Sequence, residues 1–438
     1  MKQSRTIWAL LLVMAIIAAA CGSGDATSES TTTTAAGSET TDTSQPETTT
    51  TEAAPVDEPA ETVSIRYFTF SAAPDHLGDL DAMIAAFNEV HPEITVEVET
   101  APFEEYFSVL QTQIAGGDAP DAFELNFESF VSFAAKGVLA ELDVDTSGYY
   151  ARATEAFALD GTQYALPESY STVLLFFNQD LFDQAGVDYP TRDWTWADEK
   201  AAAEAISALG DTTWGSFAGI QFWEFYKTAD QNGCSFFTDG AVSINQPACV
   251  EALQYMLDNV NNGLQPTAAE MGGVSDGEMF VNGELGMITT GIWMFGAFEE
   301  ATFAWDVAVE PGNTQGGSHF FANGVAVSAD SESQEAAAEW VSFLTGSPEA
   351  AKTRVDAAWE LPTLTDAGLY DAYLSQPSPA NRQAVLDSLE NVTIPPVIER
   401  QAEMQDAVNG LLEQAVAGEI TAQEALDQAQ AAIEELLK

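Results

Sequence analysis

Basic side chains are scarce in this 438-residue chain: 13 Lys and Arg stand against 69 Asp and Glu, a formal charge of −56. A polyanion of that size excludes binding to nucleic acid, or to an anionic membrane surface, through its own field. Phosphate chemistry also lacks its usual parts, with no Gly-Lys dipeptide and no Gly-x-Gly-x-x-Gly anywhere. Histidine is limited to His76, His91 and His319. They show neither metal-ligand spacing nor the His-Glu-x-x-His pattern, so no metal and no cofactor is expected. Acidic residues are so numerous that a glycosidase-type carboxylate pair is neither excluded nor singled out. Strong acidity also suits a saline habitat, but it describes solubility and environment rather than fold.

Apolar residues are not lacking. They make up 46% of the chain, which rules out general disorder and leaves room for two domains after an unusual first sixty residues. Met1–Arg5 is a short basic start, followed by the apolar run Ile7–Ala20 and then Cys21. That is the layout of a secretory signal over residues 1–20, and the run is shorter than the roughly 20 residues of a membrane span. Ala18–Gly22 resembles a bacterial lipoprotein box, which implies a lipidated Cys21 as the first mature residue. Residues 21–62 are rich in Thr, Ser, Glu, Pro and Ala and carry no Lys or Arg. Such a segment cannot bury enough surface to offset its chain entropy, and it suits a tether crossing a thick wall, hence a Gram-positive host. With Cys21 assigned to lipid, Cys234 and Cys249 remain, and outside the cytoplasm an even pair reads as a disulfide.

From Val63 the pattern is α/β. Val63–Phe70 reads as a buried strand, Leu80, Met83, Ile84 and Phe87 mark one helix face, and Ile94–Val98 alternates as a second strand. This βαβ rhythm predicts a parallel sheet with ligand-binding loops at the carboxyl ends of its strands. Further helices are expected over Phe130–Lys136, Trp196–Leu209, Ala336–Leu344, Ile398–Ala417 and Thr421–Leu437, the last opened by a Thr421/Glu424 capping box. Aromatic residues recur in irregular contexts, around Tyr170, Trp223, Trp293 and Trp359, and together they suit a cleft for a small solute.

Several stretches carry a family resemblance. They are Ala82–Pro92 with Ile94–Val98, Ile114–Phe123, Gly161–Pro167, Phe177–Gly186, Phe280–Met287 and Ala336–Leu344. In that order they resemble the extracellular solute-binding proteins of bacterial ABC importers, the sugar-binding type related to maltose-binding protein. The resemblance implies a two-lobed α/β fold of the periplasmic-binding-protein kind, with an interlobe ligand cleft and three hinge crossings. It places the crossings near Ala165–Ser169, Phe320–Gly324 and Ala358–Pro362. The lobes would comprise residues 63–168 and 321–360 on one side, and 169–320 with the helical 361–438 on the other. The ligand set it implies is Phe70, Asp121, Asn126, Tyr170, Trp223, Glu224, Trp293, Asn323, Trp359 and Glu360.

These residue types suit a saccharide, because flat rings pack on sugar faces while Asp, Glu and Asn bond the hydroxyl rim. The set contains no Lys or Arg, which disfavours an anion. A cationic amine, such as a polyamine or betaine, is the rival ligand, and a secreted carbohydrate hydrolase is a further alternative. The resemblance implies a monomeric, non-catalytic protein with a membrane permease as partner.

Overall fold

The computed structural model describes residues 62–72 and 76–438. The signal segment 1–20, Cys21 and the tether as far as residue 61 lie outside the described residues. The elements that position the site are as follows. In the first lobe they are β1 (Val63–Thr69), α1 (Leu77–Val90), β2 (Ile94–Thr100), α2 (Phe103–Gly116), β3 (Ala122–Asn126), α3 (Phe127–Ala135) and β4 (Ala165–Ser171). Next come β5 (Val173–Asn178), α4 (Trp196–Ser207), α5 (Phe222–Gln231), α6 (Pro247–Asn261), β6 (Met287–Gly291) and β7 (Trp305–Ala308). The chain ends through β8 (Phe321–Val327), α7 (Gln334–Gly346), α8 (Pro348–Asp356), β9 (Leu361–Pro362), α9 (Gln401–Val416) and α10 (Ala422–Leu436).

The expected βαβ unit is present. β1 and β2 pair in parallel from Val63 opposite Ile94 to Thr69 opposite Thr100, and α1 buries Leu80, Met83 and Phe87. α2 ends at Gly116 and is capped by Gly117, left-handed at φ 73°, a conformation that costs a residue without Cβ little. α3 begins three residues earlier than its apolar pattern suggests, because the Asn126 side chain accepts from Ser129 N and caps it.

The large sheet has the order β9-β4-β8-β3-β1-β2 and is mixed rather than parallel. β8 runs antiparallel to both β3 and β4, and β9 runs antiparallel to β4. The cause is topological. The chain leaves this sheet at the end of β4 and returns beside the end of β3, with Asn323 opposite Asn126, so the returning strand must run backwards. One face of the sheet buries Ile65, Tyr67, Val325 and Trp340, and the other buries Phe68, Phe123, Leu125 and Phe130.

β4 continues through Thr172 alone into β5, the centre of a second, antiparallel sheet flanked by β6 and β7. Beside that sheet, α5, α6, α9 and α10 enclose a separate core containing Phe225, Leu253, Met404 and Leu426. Cys234 and Cys249 are joined within it, with their Cα atoms 5.3 Å apart. The Thr421/Glu424 capping box opens α10 as its sequence indicates. The chain thus passes between the two sheets three times, at Thr172, before Phe321 and after Pro362. No helix among the described residues is long and apolar enough to cross a membrane.

Candidate functional site

The three crossings are stitched together by side chains. Oε2 of Glu360, just before β9, accepts from the Ser169 hydroxyl on β4 and from Asn323 Nδ2 on β8 at 3.3 Å. Further toward the second lobe, the Thr172 hydroxyl meets those of Ser318 at 2.8 Å and Ser388 at 3.1 Å. The chain between these two nodes is where the lobes can turn, and it carries Tyr170, His319, Phe320 and Phe321.

The first lobe lays polar groups at the carboxyl ends of its strands. Oε2 of Glu124, on β3, accepts from the Thr69 hydroxyl at 2.6 Å and from the backbone N–H of Phe70 and Ser71 at 3.1 Å each. Burial pushes the Glu124 carboxyl up to about 8, and the neighbouring Glu168 adds to this. Glu168 is raised by burial as well, although Arg354 is ion-paired to it at 2.5 Å. Phe70 packs against Phe103, Tyr106 and Phe107 with ring centroids 5.0–5.8 Å away. Asp121 sits at the other end of β3 from Asn126, where it accepts from Arg66 N at 2.8 Å and from the Ser331 hydroxyl at 2.5 Å. The structure therefore does not bring Asp121 together with the other candidates.

The second lobe contributes rings in sequence. Trp293, 40% exposed, stands 5.9 Å from Phe321, and Phe321 stacks on His319 at 4.6 Å. His319 meets Tyr226 edge-on at 5.2 Å and Trp223 at 5.8 Å. Gly291 permits this arrangement, since a Cβ there would lie 2.0 Å from the Trp293 ring. His319 Nε2 donates to the Trp223 carbonyl at 2.7 Å, which leaves Nδ1 bare. Burial, with Lys227 nearby, holds this imidazole well below its ordinary value, so it is neutral. Glu224 is buried in an ion-paired set in which Lys227 bonds both Glu224 and Glu310. Burial pushes the Glu310 carboxyl up to about 7 despite that lysine.

Tyr170 and Trp359 occupy closed positions. The Tyr170 hydroxyl bonds that of Tyr370 at 2.6 Å, and its ring stacks on Phe320 at 5.6 Å. Trp359 is only 2% exposed, with the His76 ring parallel at 4.7 Å and the Arg354 guanidinium 4.2 Å from its ring centre. The residues on either side of it, Ala358 and Glu360, both have φ 54°.

Two further buried groups were not singled out by the sequence. Glu128, in the first turn of α3, is 6% exposed, and burial pushes its carboxyl up to about 7 against the pull of its own backbone amide alone. Tyr226, on α5, has a buried hydroxyl without a partner, and the Glu128 carboxylate is near enough to raise that phenol further. Their sequence signals were a carboxylate within the first turn after a strand end and a tyrosine three residues beyond Trp223.

Gly273-Val-Ser-Asp-Gly277 has the Gly-x-Ser-x-Gly spacing found in some hydrolases. The spacing Gly273–Gly277 contains an exposed Ser275 that caps the helix Asp276–Val281 by exchanging bonds with Glu278. Among the described residues no group of three or more His, Cys, Asp or Glu is arranged to hold a metal ion. A groove of about 500 Å³ opens beside Trp196, Glu251 and Tyr255, and none of the ligand-set residues lines it.

Comparison with known proteins gives a consistent result. The family model described as bacterial extracellular solute-binding protein matches residues 73–351. The galactooligosaccharide-binding protein of Bacillus subtilis (strain 168) is 24% identical over 360 residues, 79% of this chain and 83% of that protein. An ABC substrate-binding protein from Listeria monocytogenes, solved in complex with cycloalternan, is 43% identical with a TM-score of 0.84. That match covers 86% of this chain and 99% of the Listeria chain. The GacH receptor of Streptomyces glaucescens GLA.O, solved unliganded and with acarbose, is similar in fold, with a TM-score of 0.77 at 23% identity, covering 86% of this chain and 99% of that one.

Proposed function

The chain belongs to the bacterial extracellular solute-binding proteins, and from that premise we propose that it captures an oligosaccharide between its lobes and delivers it to an ABC-importer permease. The observation that carries this reading is the 43% identity with a protein solved in complex with cycloalternan. That sugar is the first ligand to try. The rings from Trp293 to Trp223 give apolar faces for sugar rings, and the strand-end carboxylates and amides give partners for hydroxyls.

A neutral ligand is favoured over a cationic amine by the state of the carboxylates. Glu224 is committed to Lys227, and Glu360 to Ser169 and Asn323. Glu124 and Glu128 both have raised carboxyls. Capture proceeds by the lobes turning between the two hydrogen-bonded nodes, at the crossings near Thr172, Phe321 and Pro362, a few residues from the expected boundaries at 168/169, 320/321 and 360/361. The protein acts as a monomeric, non-catalytic carrier on the outer face of the cytoplasmic membrane. Lipidated Cys21 anchors it through the 22–62 tether, and the Cys234–Cys249 disulfide forms after export.

Calorimetric titration tests the ligand claim. Cycloalternan is expected to bind, to remain chemically unchanged, and to compact the protein in solution scattering. Tight binding of spermidine with no response to cycloalternan or maltotetraose would replace the sugar reading with the amine one, and consumption of the sugar would make the protein a hydrolase.

A further inference from the structure

The groove beside Trp196 shares no residue with the expected sugar set and has a chemistry of its own. It is lined from α4, from α6, from the first turn of α10 and by Asn313 in the chain after β7. Along α6, Glu251, Gln254, Tyr255 and Asp258 recur at intervals of three and four residues, which sets them on one face. The half-buried Tyr255 stacks on the buried Trp196 with ring centroids 4.2 Å apart and planes 6° from parallel, a flat aromatic wall. The volume of about 500 Å³ is that of a small-molecule site.

The side-chain donors of the groove are already bonded within the protein. Trp196 Nε1 donates to Gln231 at 2.9 Å, the Tyr255 hydroxyl to Glu199 at 3.3 Å, and Asn313 Nδ2 to Asn232 at 2.6 Å. Gln254 Nε2 donates to Asp258 Oδ1 at 2.8 Å, and Gln423 Nε2 to Asp427 at 3.0 Å. Acceptors remain. Glu251 commits Oε2 alone, to Asn232 at 3.2 Å, which leaves Oε1, and Asp258 keeps Oδ2. Among the described residues that line the groove there is no Lys or Arg, and Lys200, one turn beyond Trp196 on α4, stays outside it.

An anion finds no partner on such a surface, and a saccharide, whose hydroxyls accept as well as donate, meets few free donors. A metal ion is not favoured either, since no group of three or more His, Cys, Asp or Glu is arranged for one among the described residues. What fits is a ligand that is cationic, donates without accepting, and has an apolar body.

We propose that this groove is a second ligand site, which takes a protonated aliphatic polyamine independently of the sugar cleft. Alkylammonium groups, like the Lys side chain, donate without accepting, stay charged at neutral pH and are attracted to aromatic faces. Glu251 and Asp258 are seven residues apart on α6, about 10 Å along the helix, a spread that the terminal ammonium groups of an extended triamine such as spermidine can span. One end bonds each carboxylate, and the methylenes between them lie along the Trp196–Tyr255 wall.

A charge of −56 attracts polyamines over the whole surface, and a site differs from that field by saturating and by having a position. Calorimetric titration of the full-length chain with spermidine, at physiological ionic strength, with and without saturating cycloalternan, reads both. One spermidine per chain is expected, with the same affinity in either case. Glu251→Gln combined with Asp258→Asn should weaken it about tenfold. Glu141→Gln combined with Asp143→Asn removes the same charge from exposed positions of the first lobe and should change it less than about twofold. Tyr255→Leu should weaken spermidine about threefold and leave cycloalternan binding unchanged; if that variant fails to fold, the two carboxylate pairs decide. Uptake that does not saturate, equal losses in the two double variants, or no binding would overturn the proposal. Spermidine that is displaced by cycloalternan and unaffected by the Glu251/Asp258 changes would also overturn it, and would place the amine in the interlobe cleft. Failure of cycloalternan to bind, with spermidine still weakened by the Glu251/Asp258 changes, would remove the sugar reading and support this site.

Discussion

The two lobes face the same cleft but present different surfaces to it. On the first lobe and the hinge, the sequence candidates already have partners. Asp121, Asn126, Asn323 and Glu360 are hydrogen-bonded within the protein, and Trp359 lies between His76 and Arg354. On the second lobe, Trp293 is 40% exposed, and Tyr226 and His319 keep unpartnered polar atoms. The difference teaches that residue type at a cleft does not show whether a side chain is free; its existing partners and its exposure do. First-lobe substitutions should therefore register in stability, and second-lobe substitutions in affinity.

The largest expected effect contrasts two tryptophans with similar sequence credentials. Trp359→Ala empties a buried site and should lower unfolding free energy by about 3–5 kcal/mol in urea titration. Loss of sugar affinity with unchanged stability would place Trp359 on the ligand side of the comparison instead. Trp293→Ala should weaken sugar binding by about 1–3 kcal/mol and leave the melting temperature within a degree or two. A large fall in melting temperature would show that this ring is part of the core.

The smallest expected effect concerns the first lobe's proton. Glu124 keeps its proton in the folded state up to about pH 8. The unfolded chain loses it near an ordinary carboxyl value, about 4.3. As pH rises from about 4.3 to 8 the unfolded state gives up the proton first, so this residue subtracts stability across that range. Glu124→Gln preserves an acceptor for Thr69, Phe70 and Ser71, and should be more stable than wild type by at least about 1 kcal/mol at pH 8, with no gain at pH 4. Equal stability at both pH values would mean that the carboxyl is already ionised in the fold.

Much of the fold was legible locally. The β1–α1–β2 unit, the Gly117 stop, the Thr421 capping box and the α/β order all rest on neighbours within a few residues. The mixed sheet was not, because the direction of β8 depends on where a strand returns after an excursion through the second lobe. α5 was hidden because Glu224 and Lys227 fall on its buried side, satisfied by Glu310 far along the chain. Trp359 looked available because nothing local reveals the His76 ring over it, nearly three hundred residues earlier. Glu128 was lost among 69 acidic residues, and the burial that sets it apart from most of them is shared with Glu124, Glu168, Glu199, Glu224, Glu310 and Glu360.

The three passages between lobes also constrain how the molecule comes into being. The large sheet needs β8 and β9, and the helical core beside the second sheet needs Met404 and Leu426. A chain emerging from its N-terminus can therefore complete neither lobe until nearly all of it has been made. Contacts this distant in sequence slow folding. They leave a long interval in which the polypeptide is unfinished, soluble by virtue of its charge, and still able to be threaded across a membrane before it closes on itself.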